Sequence, residues 1–267
     1  MIPKTVGIIL LPLVAILVAQ VHATSPTMTL DRVGTPSIAS SSPGCNQYGE
    51  CLVTTASALL NTTHANDVIV IVAQCGFFSE CYSNISSIVD SGAHVWTLRV
   101  AYTPSYVGLR LRPIWEYYTI AASPMSSDRI EVTWSSSDLV PPSYYWFVAI
   151  AISGANVRHP WDPSRQLPVE NTGLCATCNP LRVSTVAAQD FVIVTVAIND
   201  GDACYDLTDI SPFQLLYGSG GGGHGESYYS ITNLGSPNSV SFTCGVSAFA
   251  DVVSILGDAL QGPGSQQ

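Results

Sequence analysis

Lysine is all but absent from this chain. Lys4 is the only one, and Asp, Glu, Lys and Arg together make up 10% of the 267 residues. Nine basic residues face 19 acidic ones, for a formal net charge of −10. Such a surface offers little to nucleic-acid phosphates or to anionic lipid. Lysine scarcity also excludes Lys–Asn isopeptide cross-links between subunits. The common catalytic signatures are missing: the chain has no G-x-S-x-G, no H-E-x-x-H and no P-loop. His64, His94, His159 and His224 stand at no metal-ligand spacing to one another. Glutamates number six. Two of them, Glu116 and Glu226, take equivalent places in a repeat described below, which explains them without a glycosidase acid/base pair. No enzymatic activity and no cofactor are expected.

The chain opens "MIPKTVGIILLPLVAILVAQVHA", a short basic start, an apolar run and small residues at Val21-His22-Ala23. Residues 1–23 read as a secretory signal cleaved after Ala23. An uncleaved anchor is the alternative, but Thr5 to Val21 is at the lower limit of a spanning helix. Behind the signal lie eight cysteines: Cys45, Cys51, Cys75, Cys81, Cys175, Cys178, Cys204 and Cys244. An even count in a secreted chain implies disulfides. Eight cysteines allow about 105 pairings; the simplest set is Cys45–Cys51, Cys75–Cys81, Cys175–Cys178 and Cys204–Cys244. The sequons at Asn61 and Asn84 are expected at exposed strand ends, carrying glycan.

The chain also repeats itself. "NDVIVIVAQCG" at 66–76 is nearly restated as "QDFVIVTVAINDG" at 189–201. After the first come "ISSIVDSGAHVWTLR", "IWEYYTIAASP", "DRIEVTWS" and "YYWFVAIAISGAN"; after the second come "DLTDISPFQLLY", "ESYYSITNLGSP", "NSVSFTCG" and "SAFADVVSILGDA". Each segment is rich in Val, Ile, Thr, Tyr and Phe and bounded by turn residues, so each reads as a strand. No sustained, capped helical period appears in the mature chain. The pattern predicts an all-β fold: a two-layer antiparallel β-sandwich, jelly-roll-like, built from related half-sheets at 67–154 and 190–257 within a domain spanning 45–260. Residues 158–180 join the halves as a crossover loop, and 261–267 form a flexible tail.

The order "DVIVIVA … IVDSG..VWT … WEYYTIA … VTWS … VAIAISGAN..HPWD" resembles a β-sandwich module common in secreted surface proteins of bacteria and archaea. In that module the first half usually ends in Y-S-G followed by P-L-D. Ile152-Ser153-Gly154 and Pro160-Trp161-Asp162 hold those places here. The resemblance spans residues 50–257 and implies a fold rather than an activity. Small, glycosylated, lysine-poor β-proteins with cysteines also resemble the thread and pilus subunits of archaeal cell surfaces.

Other motifs compete with simpler readings. Asp200, Asp202 and Asp206 offer oxygens for Ca²⁺, but Asn-Asp-Gly-Asp is ordinary turn chemistry. Cys175-Ala-Thr-Cys178 reads as a small disulfide loop outside the cell rather than a redox centre. "YGSGGGGHGESYY" has no helix after its glycines and reads as a hairpin tip. Trp115, Trp134, Trp146 and Trp161 with Tyr117, Tyr118, Tyr144 and Tyr145 are read as core and cross-strand pairs before a sugar-stacking face. Strands such as "FVIVTVAI", "VIVIVA" and "WFVAIAI" are apolar on both faces, and their second faces need cover from loops or a neighbouring subunit. The polar stretch 24–44, with Met28 and Leu30 alternating with polar residues, pairs in its own sheet, enters the next subunit as a donor strand, or stays disordered. The expectation drawn is an extracellular structural protein, a cell-surface or filament subunit assembling with copies of itself by strand addition through Met28 and Leu30. A secreted carbohydrate-binding or adhesion module is the alternative. Neither nucleic acid nor, after signal cleavage, a membrane is an expected partner.

Overall fold

The computed structural model describes residues 27–41, 53–75, 83–103, 105–106, 109–110, 113–136, 145–172, 181–186, 189–197, 213–218, 226–233, 238–240 and 247–254. The described residues form strands and no helix, and every strand pairing is antiparallel. The signal at 1–23, all the cysteine side chains and Asp200, Asp202 and Asp206 lie outside the described residues. No described helix is long and apolar enough to cross a membrane, which says nothing about β-barrels.

In the first half the strands are β1 (Thr29–Val33), β2 (Thr35–Ser41), β3 (Val53–Leu60), β4 (Asp67–Cys75), β5 (Ser83–Asp90), β6 (Thr97–Tyr102), β7 (Ser105–Tyr106), β8 (Leu109–Arg110), β9 (Ile114–Ala121), β10 (Asp128–Ser136) and β11 (Tyr145–Ser153). They build a central sheet, β1-β11-β4-β9-β6, an outer sheet, β2-β3-β10-β5, and the short ribbon β7-β8. The second half supplies β12 (Val169–Thr172), β13 (Leu181–Val183), β14 (Gln189–Ala197), β15 (Gln214–Gly218), β16 (Glu226–Asn233), β17 (Asn238–Val240) and β18 (Ser247–Ser254). These form a five-stranded sheet, β12-β18-β14-β16-β15, and the ribbon β13-β17.

The two orders are one order. β18, β14, β16 and β15 neighbour each other as β11, β4, β9 and β6 do, and β13 pairs with β17 as β3 pairs with β10. Even an irregularity is repeated. The register shifts after Leu98, opposite Tyr117, and after Leu215, opposite Tyr228. A bulge inherited by both copies is a stronger mark of duplication than shared composition.

Register also corrects one expected equivalence. Val72 faces Glu116, and its counterpart Thr195 faces Ser227, whereas Glu226 faces Val196. Glu116 therefore corresponds to Ser227, not to Glu226. One position is one face of a strand. Glu116 is buried on the face that carries Val72, while Glu226 lies on the other and accepts the Tyr228 hydroxyl.

Packing differs from the expected pair of half-sheets. Ile69, Ile71, Ala73, Phe147, Ala149 and Ala151 of the central sheet meet Ala58, Leu60, Ile130, Val132 and Trp134 of the outer sheet. Behind them Val68, Val70, Val72, Val148, Ile150 and Ile152 meet Phe191, Ile193 and Val253 of the second-half sheet. The far face of that sheet, with Val192, Val194 and Val196, is covered by Val183 of the β13-β17 ribbon and by Leu167 and Phe213. So the two halves are not the two layers of one sandwich. Each half carries its own second sheet, and the duplicated sheets pack through the same face. Burying a large aliphatic side chain is worth roughly 1.5–3 kcal/mol, so strands apolar on both faces demand cover on both. The second half supplies it within the chain, in place of a neighbouring subunit.

The N-terminal segment stays at home. β1 pairs with β11, Leu30 opposite Ile152, and β2 pairs with β3. Met28 is 1% exposed, in the seam between the duplicated sheets, and its amide donates to Gln189 Oε1 at 2.7 Å. Leu30 packs partly buried against the same cluster. The apolar pattern that would suit a neighbour's groove as a donor strand is, within this chain, seated in its own seam.

Candidate functional site

Polar chemistry gathers at one pole of the first half, where β3, β5, β9 and β11 end and β4, β6 and β10 begin. A cleft of about 270 Å³ opens there between the β5–β6 and β9–β10 turns. Its lining comprises Ser91, Gly92, His94 and Asp128 with Ser123, Pro124, Met125 and Ser126.

Asp90, the last residue of β5, organises one wall. Its Oδ1 accepts the His94 amide at 3.0 Å and lies 3.1 Å from His94 Nδ1, while Oδ2 accepts the Trp96 indole N–H at 2.6 Å. Asp128, the first residue of β10, accepts the Ser91 amide at 2.8 Å, and Ser91 Oγ in turn accepts the Arg129 amide at 3.0 Å. With Nδ1–H donated to Asp90, the ring's Nε2 is the nitrogen left for a ligand. Gly92 makes room for this fold: a Cβ there would stand 2.4 Å from His94 Cε1. The opposite wall is tied to the β3–β4 loop. Thr62 and Met125 exchange two hydrogen bonds, Thr62 N to Met125 O at 2.9 Å and Met125 N to Thr62 Oγ1 at 2.8 Å. Asn61 Oδ1 accepts the Ser127 amide at 2.6 Å.

A second cluster lies beside β1. Asp31, His64 and Asp67 bring their ligating atoms within 4.8 Å of one another, as do Asp90, His94 and Asp128. Burial pushes the Asp67 carboxyl up to about 7; neighbouring Asp31 adds to the rise, while His64 and the Ser153 hydroxyl oppose it. Burial alone would raise Asp31 too, but the Thr63 hydroxyl and amide, Asp67 and His64 outweigh it and hold that carboxyl below its ordinary value.

The sequence-expected residues fare unevenly. Asn61 and Asn84 are exposed, and Asn61 accepts the Ser127 amide through its carbonyl oxygen. The aromatics do not share a face: Trp115, Trp134, Tyr117 and Tyr145 pack in one seam, and Trp146, Trp161 and Tyr118 in the next, with Arg99 over the Trp161 ring at 4.8 Å. Tyr144 lies outside the described residues. Sequence reading missed both His–Asp clusters because it sought histidine spaced from histidine. Asp90 and His94 at i, i+4 and His64 and Asp67 at i, i+3 were the available signals; Asp31 and Asp128 arrive only through strand pairing.

Comparisons of the chain with protein-family models, with curated proteins and with solved structures each find no match.

Proposed function

We propose that the chain is a secreted, non-enzymatic surface module that binds carbohydrate through the polar cleft at its pole. One observation carries the reading: Ser91, Ser123, Ser126, His94 and Asp128 line a space of about 270 Å³ whose walls are already fixed by Asp90, Thr62 and Asn61. Hydroxyl, imidazole and carboxylate groups are donors and acceptors for sugar hydroxyls, and the volume suits one ring more than an extended ligand. Secretion is supported by the N-terminal segment, the cysteine count and the two exposed sequons. The jelly-roll reading is supported by strand order. β11-β4-β9 in one sheet and β3-β10-β5 in the other interleave early and late strands as that fold does.

A filament subunit is the second reading. Within one chain β1 and β2 are already paired, so strand addition through them would require exchange between copies. What supports it is the flank where Val89 of edge strand β5, Leu98 of edge strand β6 and Val95 in the turn between them stand in solvent, a site where another copy's strand edge fits.

Glycan-array binding by the purified, disulfide-bonded chain tests the proposal, with Ser126→Trp to fill the cleft. The expected outcome is retention on a defined set of glycans, lost at least about tenfold in the variant, with melting temperature unchanged. Absence of glycan binding, together with concentration-dependent fibre growth, overturns it in favour of the filament.

A further inference from the structure

Asp67 poses a problem that the carbohydrate reading does not touch. It is fully buried, and no donor stands in full hydrogen-bond geometry at either carboxylate oxygen; its polar neighbours are the like-charged Asp31 and the Ser153 hydroxyl, which offsets only part of the burial. A buried charge without a partner is costly enough that folds rarely leave one. The neighbouring cluster shows the contrast: both oxygens of Asp90 and one of Asp128 are occupied by protein donors.

The chain brings two further ligand-type groups to Asp67. Register shifts between Leu30 and Arg32 in β1, and Asp31 is the bulged residue. A bulge re-aims a side chain, and Asp31 turns toward the β3–β4 loop, where Thr63 donates its amide to Oδ2 at 2.6 Å and its hydroxyl to Oδ1. His64 Nδ1 lies 3.3 Å from Asp31 Oδ1. Asn66 takes φ 64° and donates its amide to Ala121, which turns the chain so that Asp67 enters β4 beside them. Two carboxylates carry the charge that a divalent ion balances. An imidazole with two carboxylates suits zinc and its neighbours; calcium prefers six or more oxygens.

We propose that Asp31, His64 and Asp67 bind a divalent transition-metal cation of the zinc class, clamping the N-terminal strand β1 to β4. Ligand atoms around zinc stand about 3.3 Å apart, so the group, now within 4.8 Å, must draw in modestly. The His64 side chain, 56% exposed, has the freedom to do so. The clamp does not rest on the carbohydrate reading, although the β3–β4 loop that carries His64 also ties one wall of the cleft.

Zinc titration calorimetry on the full, disulfide-bonded chain after chelator treatment is the test, with hydrogen exchange read at residues 29–33. Expected are a saturable zinc site, slower exchange in β1 on zinc addition, and no comparable response to calcium. Asp67→Asn should abolish the site. His64→Ala changes an exposed side chain, so it keeps the test alive if Asp67→Asn does not fold; it should weaken zinc by about tenfold or more, since even outer-shell partners are worth about 10–100-fold. Absence of saturable zinc binding, the result if Asp67 is served by a proton alone, overturns the proposal. So does a site that His64→Ala leaves at wild-type affinity, which would place the ion elsewhere.

Discussion

Two glycines at the pole illustrate how differently the same missing Cβ can matter. Gly154 follows β11 at φ +82°, and a Cβ on it would stand 2.6 Å from the Thr27 carbonyl oxygen. Both the dihedral and the contact are backbone matters, with nothing flexible to yield. Gly154→Ala is therefore expected to cost about 1–3 kcal/mol, seen as a lower melting temperature, and to displace the start of β1. At Gly92 the first atoms met belong to the His94 ring. Gly92→Ala should leave stability within about 0.5 kcal/mol yet weaken glycan binding, because the imidazole must leave its place against Asp90. Calorimetric melting of both variants beside the array assay checks the contrast. The Ile-Ser-Gly place noted in the sequence thus has a physical reason, and so has Asp162, whose carboxylate accepts the Ser164 amide at 2.8 Å and the Val186 amide at 3.0 Å.

Strands divide here into two kinds. β3 alternates, with Ala56, Ala58 and Leu60 inside and Leu59 half exposed. β4, β11 and β14 are buried on both faces. Ile71 of β4 points into the seam with the outer sheet, and Ile150 of β11 into the seam with the second half. Ile71→Ala and Ile150→Ala are each expected to cost about 2–5 kcal/mol, against about 0.5 kcal/mol or less for Leu59→Ala; denaturant unfolding of the three variants reads this directly. Loss at only one of the two isoleucines would mean that one seam is loosely packed. These strands were legible in the sequence almost to the residue: "QDFVIVTVA" is β14, and "SAFADVVS" is a strand, β18, despite its weak helical pattern. Their double burial was legible as a need for cover. What supplies the cover was not, because period-2 patterning fixes which residues share a face and says nothing about which sheet lies opposite. The same limit hid the pairing of β1 with β11, a contact across more than a hundred residues, and with it the meeting of Asp31 and Asp67.

At the scale of the whole molecule, a face that packs against its own duplicate has the logic of a symmetric dimer written into one chain. Val68 and Val70 meet the copies of themselves, Phe191 and Ile193, and Tyr118 and Tyr229 hold matching places around the seam. That seam also imposes an order on biogenesis. The first half can pack its central sheet on its outer sheet once β11 has been made, but Val68, Val70, Val72, Val148, Ile150 and Ile152 then wait for β14 and β18. At ordinary synthesis speeds the wait is about 5–20 s. Throughout it, the exposed face is most complementary to a partner the cell also supplies in quantity: the second half of another copy. Refolding yield of the disulfide-bonded chain is therefore expected to fall as protein concentration rises, with swapped dimers on a sizing column before any larger aggregate, and a yield independent of concentration would show that the halves find each other too fast for exchange. A protein whose interior is a self-complementary surface must be made sparsely, or guarded until its last strand arrives.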